Sequence, residues 1–349
     1  MAESDDRVVS RRELLKKAGL GGAALIGGSL LGAAAVGDRS AVASTGYPYE
    51  SEGGHGGQMT VGEDVMASVY GHGAGPPRDL DVSALDGVTV PPSPDGRPAG
   101  FVREIEINVE ERLIEVAHEV FVEAWTYNGT VPGPIIRATE GDVLRVHLAN
   151  HTGHAHSIHF HGSHRPEMDG WEPIPPDGDT VYEIEAGPAG LHPYHCHTAP
   201  LAEHVARGLY GMMIVDPPGG RPEAQEVALL LSGFSNEEVG RNGVVAWNGV
   251  AGFYNDHPIK VARGELVRAY IVNMLEYEPL ASFHLHSQTF NVYPAGMGEA
   301  PVFRDDTIAL AQAQRAIVEF TLPTYGRYMF HPHQHWLADR GAVGWFAAV

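Results

Sequence analysis

Four histidine pairs with one intervening residue mark the chain: His159/His161, His195/His197, His284/His286 and His331/His333. On a β-strand, residues i and i+2 point to the same face, so each pair can aim two imidazoles at one place. Imidazole is a ligand for Cu, Zn, Fe and Ni. A single pair reads as well as a solvated strand face. Four pairs at corresponding places in the chain make metal binding the better reading. The one cysteine, Cys196, lies between His195 and His197 in the stretch LHPYHCHTAP. A lone cysteine forms no intrachain disulfide, which leaves it as a buried thiol or a ligand.

A second set occurs in the first half only. His156 precedes the first pair, and His204 follows Cys196. Two histidines and a thiolate are the equatorial ligands of a blue-copper electron-transfer site. Such sites carry a weak axial thioether, and Leu209 stands where it is expected. Loss of that ligand destabilises Cu(II) and raises the reduction potential. Met212 and Met213 are near, but they read as core of the following strand. In the second half, Ala281, Pro332 and Leu337 replace His156, Cys196 and His204, whereas the paired histidines remain. The pattern predicts one blue-copper site per chain and a multi-histidine cluster fed by both halves.

The elements that must carry these residues are strands. FVREIEINVEE, from Phe101, alternates at period two, as a half-buried strand does. Similar runs cover Leu113 to Trp125, Val143 to Ala149, Thr180 to Glu185 and Tyr210 to Val215. After the turn-rich DPPGGRPEA they resume at Glu226 to Leu231, Leu266 to Asn273, Ala316 to Leu322 and Arg327 to Phe330. Short strands, Gly/Pro punctuation and no long segment of period 3.6 predict β-sandwiches. The chain also repeats itself. EGDVLRVHLAN matches RGELVRAYIVN, HFHGS matches HLHSQ, YHCH matches FHPH, and GLYGMMIV resembles GAVGWFAAV. Two tandem β-domains are expected, over 101–217 and 226–349.

The N-terminus reads as an address. Ser10-Arg11-Arg12 precedes an apolar run and an Ala41-Val42-Ala43 cleavage site, the layout of a twin-arginine export signal over 1–43. Export by that route, to the periplasm, cell surface or exterior, is expected. Residues 44–100 read as a flexible acidic Gly/Pro-rich arm, whose His55 and His72 more simply bind nothing. The net charge of −21 argues against nucleic acid or an anionic membrane as partner. Lysine is nearly absent, which weakly suggests a high-salt setting or a GC-rich genome.

The motifs HSIHFHG, YHCHTAPLAEHVARGLYG, FHLHS, FHPHQHWLADRGAVG and YNGTVPGP resemble those of the two-domain multicopper oxidases, also called two-domain or small laccases. The resemblance covers roughly residues 101–349. It is to the subgroup with type 1 copper in the first domain, a relative of the copper nitrite reductases. It implies an all-β fold of two tandem cupredoxin-like Greek-key β-sandwich domains. It implies type 1 copper on His156, Cys196 and His204, and type 2 copper on His159 and His284. The type 3 pair would take His161, His195, His197, His286, His331 and His333. That makes about four coppers per chain: one type 1, one type 2 and two type 3. The trinuclear cluster would lie between domains of neighbouring subunits in a homotrimer. Leu209 departs from the common pattern and leaves potential and substrate range open.

The implied reaction is laccase-like. Single electrons enter from a phenolic or similar small-molecule donor, cross Cys196 to His195 and His197, and reduce O2 to water. Asp169 is the candidate carboxylate for the proton path, with an ordinary turn aspartate as the equal alternative. Asp305 and Asp306 read as a strand-entry turn. His154, His164 and His335 read as neighbours of the ligands or as solvated residues. Nitrite reduction to nitric oxide is the rival activity, but those enzymes typically have Asp where this chain has His159. A non-enzymatic copper or electron-transfer protein is the third reading, and it has no use for eight further histidines in repeat-related places.

Overall fold

A computed structural model of the protein describes residues 89–94, 100–235 and 242–349. The signal read at 1–43 lies outside the described residues, as does the arm except for 89–94 and Gly100. Among the described residues no helix is long and apolar enough to cross a membrane.

Strand β1 (Val102–Ala117) obeys the alternation of its sequence. Ile107 and Val109 are buried while Glu104 and Glu106 face solvent. It runs further than expected, and then the chain reverses at His118-Glu119 into β2 (Val120–Tyr127). The run from Leu113 to Trp125 is therefore not one strand but the end of β1, a turn and most of β2. The turn holds no Gly or Pro; Glu119 supplies the left-handed residue itself, with φ 57°.

Parallel to β1 lies β4 (Val143–Asn150), and β6 (Asp179–Glu185) pairs antiparallel to β4, giving the sheet order β2-β1-β4-β6. The facing sheet has the order β3-β8-β7-β5, from Ile136–Thr139, Tyr210–Asp216, Gly190–His195 and His159–Phe160. Ile107, Val109, Leu144, Val146, Phe160, Tyr194 and Met213 fill the space between.

The second sandwich repeats this plan. β9 (Gln225–Phe234) pairs parallel to β12 (Leu266–Asn273), as β1 does to β4. β10 (Val244–Trp247) folds back on β9 as β2 does on β1. β13 (Leu280–Leu285), β18 (Gly326–His331) and β19 (Gly344–Ala348) correspond to β5, β7 and β8. The sheets are larger. β17 (Arg315–Thr321) takes the place of β6, with β14 (Phe290–Pro294) and β15 (Phe303–Asp305) beyond it. β16 (Thr307–Ala311) lies on the outer edge of β13, and β11 (Ile259–Val261) beside β19.

The two sandwiches share a third apolar cluster. Ile114, Val116 and Val122 of the first pack with Leu230, Phe234 and Val272 of the second. Met212 joins this shared cluster and Met213 the first core, as their reading as core residues of the strand expects. Beside the shared cluster, Arg137 reaches Asp216 at 2.8 Å and Glu226 at 2.5 Å. Arg268 holds Glu319 at 2.7 Å, and Tyr270 donates to Glu226. Charges this deep are tolerated only when paired. Burial pushes the Glu226 carboxyl up, but the hydrogen bonds from Arg137 and Tyr270 outweigh it and hold the group below its ordinary value.

Candidate metal centres

Strand register brings the paired histidines together. His159 stands opposite His195 on β5 and β7, with Phe160 opposite Tyr194. Phe160 and Tyr194 point into the core, so His159, His161 and His195 share the other face. His284 stands opposite His331 on β13 and β18 in the same relation. The chain leaves β7 at His195 and turns Cys196 inward, fully buried, while His195 and His197 stay half-buried. The three consecutive residues therefore serve opposite sides of one strand end.

Cys196 meets His156 and His204 inside the first sandwich, and all three are buried. The His156 and His204 Nδ1 atoms are 3.2 Å apart. Cys196 Sγ lies 3.3 Å from His204 Nδ1 and 3.9 Å from His156 Nδ1. Ligand atoms about 3–4 Å apart are what a metal with bonds of about 2.0–2.3 Å imposes. Burial and the neighbouring imidazoles lower the pKa of His156 to about 3, and burial lowers that of His204. Both are thus neutral donors with free lone pairs. Burial pushes the Cys196 thiol up, so a bound cation must displace its proton. The Ser157 N–H donates to Sγ, and the Cys196 N–H donates to the carbonyl of Leu209, which is buried in the same core. His204 is delivered by the short helix Leu201–Ala206, whose inner side is His204 and Val205.

Each half-cluster is oriented by hydrogen bonds at Nδ1. His159 donates to the Asp169 carbonyl at 2.9 Å, and His195 to the Cys196 carbonyl at 2.9 Å. In the second repeat, His284 donates to the Asp306 carbonyl at 2.9 Å and His331 to the Pro332 carbonyl at 2.8 Å. These bonds leave Nε2 as the lone pair. The Nε2 atoms of His161 and His195 are 3.1 Å apart, and those of His286 and His331 are 2.9 Å apart. Burial pushes His161 down to about 3 and His195 to about 4, and it lowers His286 and His331 as well. Neutral imidazole nitrogens this close to one another make a donor set for a cation.

His197 and His333 complete the two halves, their rings 5.5 Å from His159 and 5.0 Å from His284. Their backbone N–H groups donate to Ser157 Oγ and Ser282 Oγ, repeat-related serines whose part the sequence reading missed. The matching SIHFH and SFHLH stretches carried that signal. Among the described residues, no group of three candidate ligands combines histidines of both repeats. The chain presents two half-sites, and their union is not made within it.

Asp169 Oδ1 lies 3.3 Å from His159 Nδ1 and 3.6 Å from His164 Nε2. Asp306 was expected only in a turn, yet it partners His284, and Thr307 Oγ1 lies 2.7 Å from the same Nδ1. Distance along the chain hid that pairing; it arises because β16 lies beside β13. His164 lies beside His159, its ring centroid 5.9 Å away. His335 stacks on His333 at 5.1 Å. Trp125 was not singled out by sequence. Its ring packs 4.9 Å from His156, 4.7 Å from His204 and 4.9 Å from His154.

Residues 108–220 and 223–349 each match the multicopper oxidase family. The chain belongs to that family, its fold is the cupredoxin-like sandwich in tandem, and it binds copper. A solved multicopper oxidase is 39% identical and superposes with a TM-score of 0.70, covering 82% of this chain and 98% of that one. A copper nitrite reductase from Nitrosomonas europaea superposes with a TM-score of 0.67 at 27% identity, over 71% of this chain and 94% of that one. The copper-containing nitrite reductase of Neisseria gonorrhoeae is 28% identical, over 76% of this chain and 74% of that protein. The multicopper oxidase MmcO of Mycobacterium tuberculosis is 38% identical over 31% of this chain and 22% of its own length.

Proposed function

We propose that the protein is a laccase-like oxidase, which takes single electrons from phenolic or similar reductants and reduces O2 to water. The observation that carries this reading is the doubled half-site: four imidazoles in each repeat, of which His159 and His195 match His284 and His331 in register and in Nδ1 hydrogen bonding. His156, Cys196 and His204 would hold one copper of type 1. His159 and His284 would hold type 2, and His161, His195, His197, His286, His331 and His333 the type 3 pair. Copper in these places supplies one-electron redox chemistry. The protein's own part is to join the sites, since Cys196 is bonded through the backbone to both His195 and His197. Four donors give up four electrons and four protons, and one O2 takes both up as two waters. Asp169, whose Oδ1 lies 3.3 Å from His159 Nδ1, would hold or pass a proton there.

Because the half-sites do not meet within the chain, a homotrimer that joins the first half-site of one subunit to the second of its neighbour fits the geometry. The layout of residues 1–43 supports export by the twin-arginine route. Nitrite reduction is the second reading, favoured by the nitrite reductases among the relatives. Oxygen uptake with 2,6-dimethoxyphenol, run beside nitric oxide formation from nitrite with a reduced mediator, separates the two. Uptake without nitric oxide supports the oxidase; nitric oxide without uptake overturns it.

A further inference from the structure

The entry side of the buried copper set opens onto a cavity of about 620 Å³, lined by Trp125, His154 and His204. Its wall is the β1–β2 ribbon. Register pairs Glu111 with Trp125 and Leu113 with Glu123. Residues opposite each other, and those two apart on one strand, share a face. Glu111, Leu113, Glu123 and Trp125 therefore line one surface, an aromatic floor with an apolar step and two carboxylates.

The charges around this surface do not cancel. Arg207 lies over the Trp125 ring at 4.7 Å and pairs with Glu203 at 3.1 Å. Arg112 is taken by Glu110. Glu111 and Glu123 are exposed at the cavity, and their carboxylates have no partner among the described residues. Leu113 is 68% exposed, an apolar contact left open beside them. An open apolar contact at the edge of an aromatic side chain, flanked by unpaired carboxylates, recognises a planar ring that carries a positive charge.

We infer that the reducing substrate of this site is a cationic electron-rich aromatic, such as a phenol bearing an alkylammonium arm. The ring lies on the exposed Leu113 beside the Trp125–Arg207 pair, on the side of His204, and the ammonium meets Glu111 and Glu123. The donor loses one electron and its phenolic proton to become a phenoxyl radical, and O2 is the final oxidant. The inference rests on the oxidase reading for its chemistry, but its binding half stands apart from it.

The test compares two phenols of equal size and opposite charge, 4-hydroxy-3-methoxyphenethylamine and 3-(4-hydroxy-3-methoxyphenyl)propanoate, in copper-loaded enzyme. The expected kcat/KM favours the amine by about tenfold at low salt, through KM, and the preference shrinks as salt is added. In the Glu111→Gln/Glu123→Gln variant the ratio falls to about one. Equal use of both phenols, or a preference that survives in that variant, overturns the inference. A second readout needs no turnover. Phenethylammonium, titrated into copper-free protein, is expected to shift the Trp125 indole N–H resonance saturably, and less so in the double variant. No shift overturns the inference. A saturable shift in a protein that consumes no O2 with any donor overturns the oxidase reading instead and leaves the cationic site standing.

Discussion

Cys196 is buried because successive side chains alternate between the two faces as the chain runs out of β7, and His195 and His197 take the outer one. That parity puts its sulfur beside His156 and His204 and leaves His195 and His197 on the outer face. Serine keeps the shape but lacks the soft, covalent ligand that copper prefers. Cys196→Ser should therefore abolish the intense visible band and lower phenol oxidation at least about a hundredfold, while the other coppers stay bound. Absorption spectra, turnover and metal analysis of the purified variant check this. Undiminished turnover would break the proposed route. Leu209 lies in the same core and offers no heteroatom side chain. Leu209→Met should lower the reduction potential of this site, as read by redox titration of the visible band; a rise would mean that residue 209 does not face the metal.

The strands themselves were legible wherever alternation and repetition coincided. EGDVLRVHLAN and RGELVRAYIVN became β4 and β12, each an inner strand of its sheet beside a parallel partner. The histidine pairs fell opposite each other because β5 pairs with β7, and β13 with β18, in the same register. What escaped the reading was set by contacts distant in sequence. The reversal at His118-Glu119 has no turn residue to announce it. Trp125 reaches the histidines only because β2 folds back on β1, and Asp306 meets His284 only because β16 joins the outer edge of β13. The junction of the sandwiches is of the same kind, with Arg137, Glu226 and Arg268 drawn from three separate strands. Glu226→Gln leaves two buried guanidiniums short of a counter-charge and should cost about 3 kcal/mol of stability, seen in the urea midpoint at neutral pH. The sign with pH follows from the lowered carboxyl. Its stabilisation is present above the ordinary glutamate value of 4.5 and is lost as pH falls through the folded value below it. The gap between wild type and variant should thus close in acid; a gap that widens there would contradict the pairing.

A single chain carries two matched half-sites that do not meet, so the assembly decides whether a cluster exists. Two large aromatic side chains stand exposed next to them in sequence: Trp171, 64% exposed, follows the Asp169-Gly170 turn, and Trp336, 40% exposed, follows His335. Exposed tryptophans beside an incomplete metal site suit a subunit interface. Trp336→Glu should dissociate the proposed trimer, as judged by light scattering, and remove cluster copper while sparing the visible band of the buried set. Retained cluster copper in a monomer would show that the interface lies elsewhere. The acidic charge of the chain does not oppose such assembly if the joined faces are rich in imidazole, as both half-sites are. The most direct test is copper content per chain, taken with visible and EPR spectra of the copper-loaded protein. The account predicts about four coppers per chain, an intense blue band, and a coupled pair that is silent in EPR but absorbs in the near ultraviolet. About two coppers per chain, both visible in EPR, would contradict it and make nitrite the substrate to pursue.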